Sequence, residues 1–293
     1  MRVTEQMVIS DFLRNISKTR QSIDVLNRQL ASNNKISKPS DDPFIAEAIM
    51  RYQSAIEKNG VYQKNVANAI TYLETSFNAV DGVISTLTDL KVLITAASNT
   101  EEPGMLQTYS NEAEGILQRL INYGNTKFNN KYIFGGSNTT TVPYLYDGNK
   151  VTVSSKGTGG EIYVDLGGPD LEVINTNGND VFLGTEIFDF VTEIRDRLKN
   201  LQSPTTEQLN KIDDYINVAN VQFGKIGAIV ERFKDVQTQL ESEEVRLKDY
   251  LGNEKDIDLA ETIVKLTQVQ TNLEAAFRAW SGVLQKSLFN FLQ

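Results

Sequence analysis

Between Ile45 and Ile94 apolar residues recur at alternating steps of three and four without a break in frame. The positions are Ile45, Ile49, Tyr52, Ile56, Asn59, Gln63, Val66, Ile70, Leu73, Phe77, Val80, Ile84, Leu87, Lys91 and Ile94, and twelve of the fifteen are apolar. A seam of that length belongs to a long helix packed lengthwise on others. Asp42 can cap the free backbone amides at its start and Pro43 suits the first helical turn. A helix from Pro43 to about Ser98, rising 1.5 Å per residue, is on the order of 80 Å long. No compact globule accommodates it, so the sequence predicts a rod.

A second long seam mirrors the first late in the chain. It reads Leu209, Ile212, Ile216, Ala219, Phe223, Ile226, Val230, Phe233, Gln237, Leu240, Glu244, Leu247 and Leu251, with Ser203 as its expected cap and Gly252-Asn253 as its expected stop. Each end of the chain carries a shorter seam. The first is Ile9, Phe12, Ile16, Thr19, Ile23, Leu26 and Leu30; the last is Leu259, Ile263, Leu266, Gln270, Leu273, Phe277, Trp280, Leu284, Ser287 and Phe291. A helix after Pro103-Gly104, with Leu106, Tyr109, Ala113, Leu117 and Leu120 inward, and another near 186–201 complete the helical set.

The period changes between Tyr132 and about Phe182. Short alternating runs such as Val151-Thr152-Val153 and Ile162-Tyr163-Val164 are punctuated by Asp147-Gly148, Gly159-Gly160, Gly167-Gly168 and Asn177-Gly178, which reads as a small β-rich insertion. The expected fold class is therefore mainly α with a β-rich insertion, an α+β chain. Its helices form a long antiparallel coiled-coil bundle with paired terminal helices. Three regions follow: residues 1–42 and 253–293 as a terminal helical domain, 43–131 and 186–252 as a long-helix rod, and 132–185 as an outer β domain.

The side-chain inventory narrows function. Among 293 residues there is no histidine and no cysteine, which removes Ser-His-Asp and Cys-His nucleophiles, thiolate or imidazole metal sites, and disulfides. The carboxylate pairs Asp41-Asp42, Asp213-Asp214 and Glu243-Glu244 do not converge on one point, because neighbours on a helix diverge, so they read as caps or solvated faces. Lys156-Gly157-Thr158-Gly159-Gly160 lacks phosphate-loop spacing and reads as a turn. The expectation is no enzyme, no cofactor and no metal. A net charge of −9 disfavours nucleic acid, although residues 1–40 hold seven Lys or Arg against three Asp or Glu. No run approaches a membrane span, and Met1 to Thr19 lacks the apolar stretch of a cleaved signal.

Several stretches resemble the flagellin-like family of bacterial flagellar axial proteins. These are Met1-Arg2-Val3-Thr4, Gln29-Leu30-Ala31-Ser32, Lys35-Ile36-Ser37-Lys38-Pro39-Ser40-Asp41-Asp42-Pro43, Tyr132-Ile133-Phe134-Gly135-Gly136, Asp256-Ile257-Asp258-Leu259-Ala260-Glu261 and the ending Ser287-Leu288-Phe289-Asn290-Phe291-Leu292. The Lys-Pro-Ser-Asp-Asp-Pro form is similar to the hook-associated junction branch rather than to filament subunits. Asn33-Asn34 and Asn129-Asn130 stand where the family commonly has Ser-Gly and Asn-Gly, and Asn tolerates the left-handed backbone that Gly usually fills.

The resemblance implies a structural subunit connecting hook to filament, exported without a cleaved signal and located outside the cell. It implies a ring of identical copies, neighbouring hook-associated protein and flagellin as partners, and a cytoplasmic export chaperone on the C-terminal segment. Nucleic acid and membrane are not among the expected partners. The implied assembly interface is Ile9, Phe12, Ile16, Ile23, Leu26 and Leu30 with Leu259, Ile263, Leu266, Leu273, Phe277, Trp280, Leu284 and Phe291. Filament flagellin is the alternative within the family, and a secreted coiled-coil adhesin or effector the alternative outside it.

Overall fold

The computed structural model describes residues 5–291, and the side chains of residues 7–282. Seven helices and six short strands follow in the order α1 Glu5–Ser32, α2 Pro43–Ser98, α3 Pro103–Gly124, β1 Lys127–Phe128, β2 Lys131–Tyr132, β3 Tyr144–Tyr146, β4 Val151–Val153, β5 Tyr163–Val164, β6 Glu172–Val173, α4 Gly178–Phe182, α5 Glu186–Lys199, α6 Thr206–Lys255 and α7 Leu259–Phe291. The chain divides into two compact units, residues 1–58 with 243–293 and residues 59–242. The divisions fall inside α2 and α6.

The second unit holds the main core. Every seam position of α2 and α6 is buried or half-buried and none is exposed, including the polar members Asn59, Gln63, Lys91, Gln237 and Glu244. Their polar ends are satisfied in place: Asn59 Nδ2 donates to the Leu240 carbonyl at 3.2 Å, Gln63 Nε2 donates to Asn59 Oδ1 at 2.8 Å, and Lys91 Nζ meets Asp213 Oδ1 at 2.6 Å. A buried amide so placed favours one helix register over its neighbours.

Helix caps explain where the elements start. Asp42 Oδ1 accepts from the Phe44 and Ile45 amides at 3.0 and 3.1 Å, as expected of a cap before Pro43. The expected Ser203 cap is corrected. Ser203 Oγ donates to the Thr100 carbonyl at 3.0 Å, and α6 opens on a reciprocal Thr205–Gln208 box, with Thr205 N to Gln208 Oε1 at 2.9 Å and Gln208 N to Thr205 Oγ1 at 3.3 Å. Nor does Gly252-Asn253 stop the helix. α6 continues through it to Lys255, since a single helical glycine costs only about 1 kcal/mol.

The strands form three antiparallel pairs, β1–β2, β3–β4 and β5–β6. Two-stranded ribbons are marginal alone, and the central one is held by packing. Tyr144 of β3 lies against Phe182 and Phe188 at ring-centroid distances of 5.1 and 4.8 Å, and Phe182 meets Phe134 edge-on at 5.5 Å. Arg195 of α5 ties the same ribbon to two helices. Its guanidinium, 10% exposed, donates from Nη1 to Glu114 Oε2 at 2.8 Å and from Nε to Asp196 Oδ1 at 2.8 Å, and Nη1 lies 2.7 Å from the Tyr146 hydroxyl. Burial works to raise the Glu114 carboxyl, but hydrogen bonds from Arg195, Gln118 and Tyr146 hold it below its ordinary value.

Candidate assembly interface of the paired termini

In the first unit α1 and α7 pack against each other. They run antiparallel. Phe12, early in α1, stacks on Trp280, late in α7, at a centroid distance of 4.2 Å and an interplanar angle of 6°, and meets Phe277 edge-on at 6.3 Å. At the other end Val25 and Leu26 share a groove with Lys265 and Val269. Trp280 is therefore a packing residue, and its indole covers the Phe12 ring.

The linkers register the pair. Asn33 turns the chain after α1 with a left-handed φ of 56°. Lys35 N then donates to the Lys255 carbonyl at 2.7 Å and Ile257 N to the Asn33 carbonyl at 3.3 Å, around an antiparallel bridge between Asn34 and Asp256. Asp41 Oδ2 accepts from the Lys38 and Ser37 amides at 2.9 and 3.0 Å. Those two amides hold the carboxyl below the usual carboxylate range. On the other strand of the linker Asp258 Oδ1 caps α7 through the Glu261 amide at 3.0 Å. The stretches Lys-Pro-Ser-Asp-Asp-Pro and Asp-Ile-Asp thus act locally, through carboxylates that collect backbone amides at a helix start.

Burial separates the expected interface residues into two sets. In α1 the side chains withdrawn from solvent are Phe12, Ile16, Thr19, Ile23, Leu26 and Leu30, which is the expected frame, together with Gln29; Ile9 is exposed at its open end. In α7 the frame differs. The withdrawn side chains are Thr262, Leu266, Val269, Leu273, Ala276 and Trp280, another three-four repeat that shares Leu266, Leu273 and Trp280 with the expected one. Leu259, Ile263 and Phe277 lie on the flank and stay exposed, at 50%, 52% and 43%. The expected pairing of the two stripes is corrected to that extent. Leu284 and Phe291 fall on turns of α7 whose side chains lie outside the described residues.

Sequence reasoning missed Thr262 and Ala276, which are not strongly apolar, and Val269, for which it took the exposed Gln270; Thr262 is buried and its hydroxyl donates to the Asp258 carbonyl at 2.7 Å. The apolar arc of α7 is wider than the strip covered by α1. One side meets α1, Phe277 touches Phe12 by its edge while staying 43% exposed, and Leu259 and Ile263 are left over. Exposed Leu13 and Ile9 do the same for α1.

The bacterial flagellin N-terminal helical region matches residues 3–139. Over 318 aligned positions the chain is 20% identical to the flagellar hook-associated protein 3 of Salmonella typhimurium, covering 99% of both. The chain is thus similar to flagellins in its N-terminal region and to hook-associated protein 3 along its length. Flagellin of Bacillus subtilis is 21% identical over 277 positions, covering 92% of this chain and 91% of that one. The crystal structure of Bacillus cereus FlgL shares the fold, with a TM-score of 0.61 at 21% identity over 69% of this chain and 99% of that one. The two positions where the resemblance has glycine are Asn34 and Asn130. Asn130 is left-handed with φ of 64° and takes the place of the glycine, with Asn129 beside it at 47°; at the first turn the left-handed residue is Asn33, φ 56°, one position before the expected Asn34.

Proposed function

We propose that this chain is a structural subunit of the bacterial flagellum that joins hook to filament, and that α1 and α7 carry the joining. The observation that supports this reading is the unfilled apolar flank of the paired termini, Ile9 and Leu13 on one helix and Leu259, Ile263 and Phe277 on the other. A monomer gains nothing from that surface, whereas burying it between copies is favourable by about 25 cal/mol per Å². Copies form a ring. The termini pack in the inner wall with hook-associated protein on one side and flagellin on the other, the α2–α6 rod region forms the next shell, and residues 132–185 lie outermost. The chain works mechanically and carries out no catalysis. Before export a cytoplasmic chaperone covers the C-terminal segment, and the chain then leaves the cell without a cleaved signal.

The test is to replace Leu273, Phe277 and Leu284 by Asp in the source bacterium. Incorporation is expected to be abolished and filaments to be shed; normally attached filaments overturn the reading. The similarity to Bacillus subtilis flagellin favours a second reading, the filament subunit. Immunogold labelling separates them: a single band at the filament base supports the junction, and label along the whole filament supports flagellin.

A further inference from the structure

Phe44 follows the helix-opening Pro43 and is 84% exposed, the most open large apolar side chain among the described residues. None of the described residues of its own copy covers it. At 100° per residue around α2, Ala46, Ile49 and Met50 point to the opposite side of the same turns. There they form, with Ile36 and Pro39 of the preceding linker, a small cavity of about 170 Å³. An apolar cavity of about 150 Å³ is enough to hold a benzene molecule. One unit therefore carries both an uncovered phenyl ring and a socket of phenyl size, facing away from each other.

The charges around the two features are complementary. The socket is lined by two cations and no anion, Lys38 and Lys255. Phe44 follows Asp42 and has exposed Glu47 one turn on, with Arg51 two turns on along that face, while the Asp41 carboxylate is already met by Arg28 and Lys38 of its own copy. Opposite faces cannot satisfy each other within one chain or across a two-fold axis. They can do so only head to tail, the arrangement that closes rings or winds helices.

The geometry points to a second copy of this chain as the occupant: Phe44 of one subunit seats in the Ile36–Pro39–Met50 socket of the next, with Asp42 and Glu47 facing Lys38 and Lys255. This contact deepens the assembly reading above and rests on it.

The absence of cysteine makes the contact directly testable. A Phe44→Cys, Met50→Cys chain cannot bridge itself, because six helical residues put the two positions about 9 Å apart along the axis, beyond the roughly 7 Å a disulfide spans. Oxidising isolated flagella that carry this variant should give a ladder of covalent dimers, trimers and higher multimers, while either single variant stays monomeric. Monomers only from flagella that contain the double variant overturn the contact, as does a dimer from Phe44→Cys alone or an adduct with a different protein. Phe44→Asp and Phe44→Leu keep the proposal falsifiable should the double variant fail to incorporate. Loss of a buried phenyl should lower incorporation of the Asp variant about tenfold or more relative to Leu, with the monomer melting temperature unchanged in both; equal incorporation overturns it. A missing ladder in normally incorporated subunits sinks this contact alone, whereas normal incorporation of the Leu273, Phe277, Leu284 variant sinks the assembly reading itself.

Discussion

Arg195→Met removes the cation that holds the β3–β4 ribbon to α3 and α5 while keeping the apolar stem. Removing one partner of a fully buried ion pair costs about 3–5 kcal/mol. Here the Glu114 and Asp196 side chains are 36% and 51% exposed, so water resolvates them in part and the expected loss is about 2 kcal/mol. The unit spans residues 59–242, and at roughly 2–4 °C per kcal/mol for that size its melting temperature should fall by about 4–8 °C at pH 7. The sign of the pH dependence follows from Glu114. Its folded carboxyl sits below the ordinary glutamate value, so its stabilising contribution is complete above that value and is lost as pH falls through the lowered one. Calorimetry of wild type and variant should therefore show a gap that narrows below about pH 4. Adding Glu114→Gln to the variant should cost less than Glu114→Gln alone, because the pair acts as a unit. A gap that persists unchanged at pH 3, or additive single effects, would refute this account of the network.

Three further outcomes are expected. Gly136→Ala should destabilise the same unit by about 2 kcal/mol or more in urea titration, because Gly136 has φ of 61° and an added Cβ would come within 2.0 Å of the Gly159 carbonyl oxygen. Thr205→Ala should cost about 1 kcal/mol by the same measurement, as loss of a helix cap does, and a larger effect from Ser203→Ala would restore Ser203 as the cap. Phe12→Ala should shift the emission of Trp280, the chain's one tryptophan, to the red while the near-ultraviolet tyrosine signal of residues 59–242 is unchanged.

The long seams were legible because their apolar repeat is unbroken, although α2 also buries Ala69, Val83, Leu90 and Leu93 beside that frame. All fifteen positions from Ile45 to Ile94 are withdrawn from solvent. The terminal helix was harder, since Leu259, Ile263, Leu266, Val269, Leu273, Phe277 and Trp280 make an arc broad enough for two overlapping frames, and periodicity cannot choose between them. Burial chooses the one through Thr262 and Ala276. Caps within a residue or two of a proline or acidic pair could be read, as at Asp42. The Thr205–Gln208 box competed with a nearer serine, and distant partners such as Arg195 with Glu114 left no local signal at all. The left-handed backbone at Asn130 was legible because Asn tolerates it, whereas that at Leu183 and Leu201 left no sign in the residue type.

A reconstruction of the native hook–filament junction with this chain traced in it decides whether the paired termini assemble there. The expected result is a ring of this chain between hook and filament, α1 and α7 lining the inner wall, with Leu259, Ile263 and Phe277 of each copy buried against its neighbours. Density for the chain along the filament, or at the junction with those three side chains facing water, would contradict it.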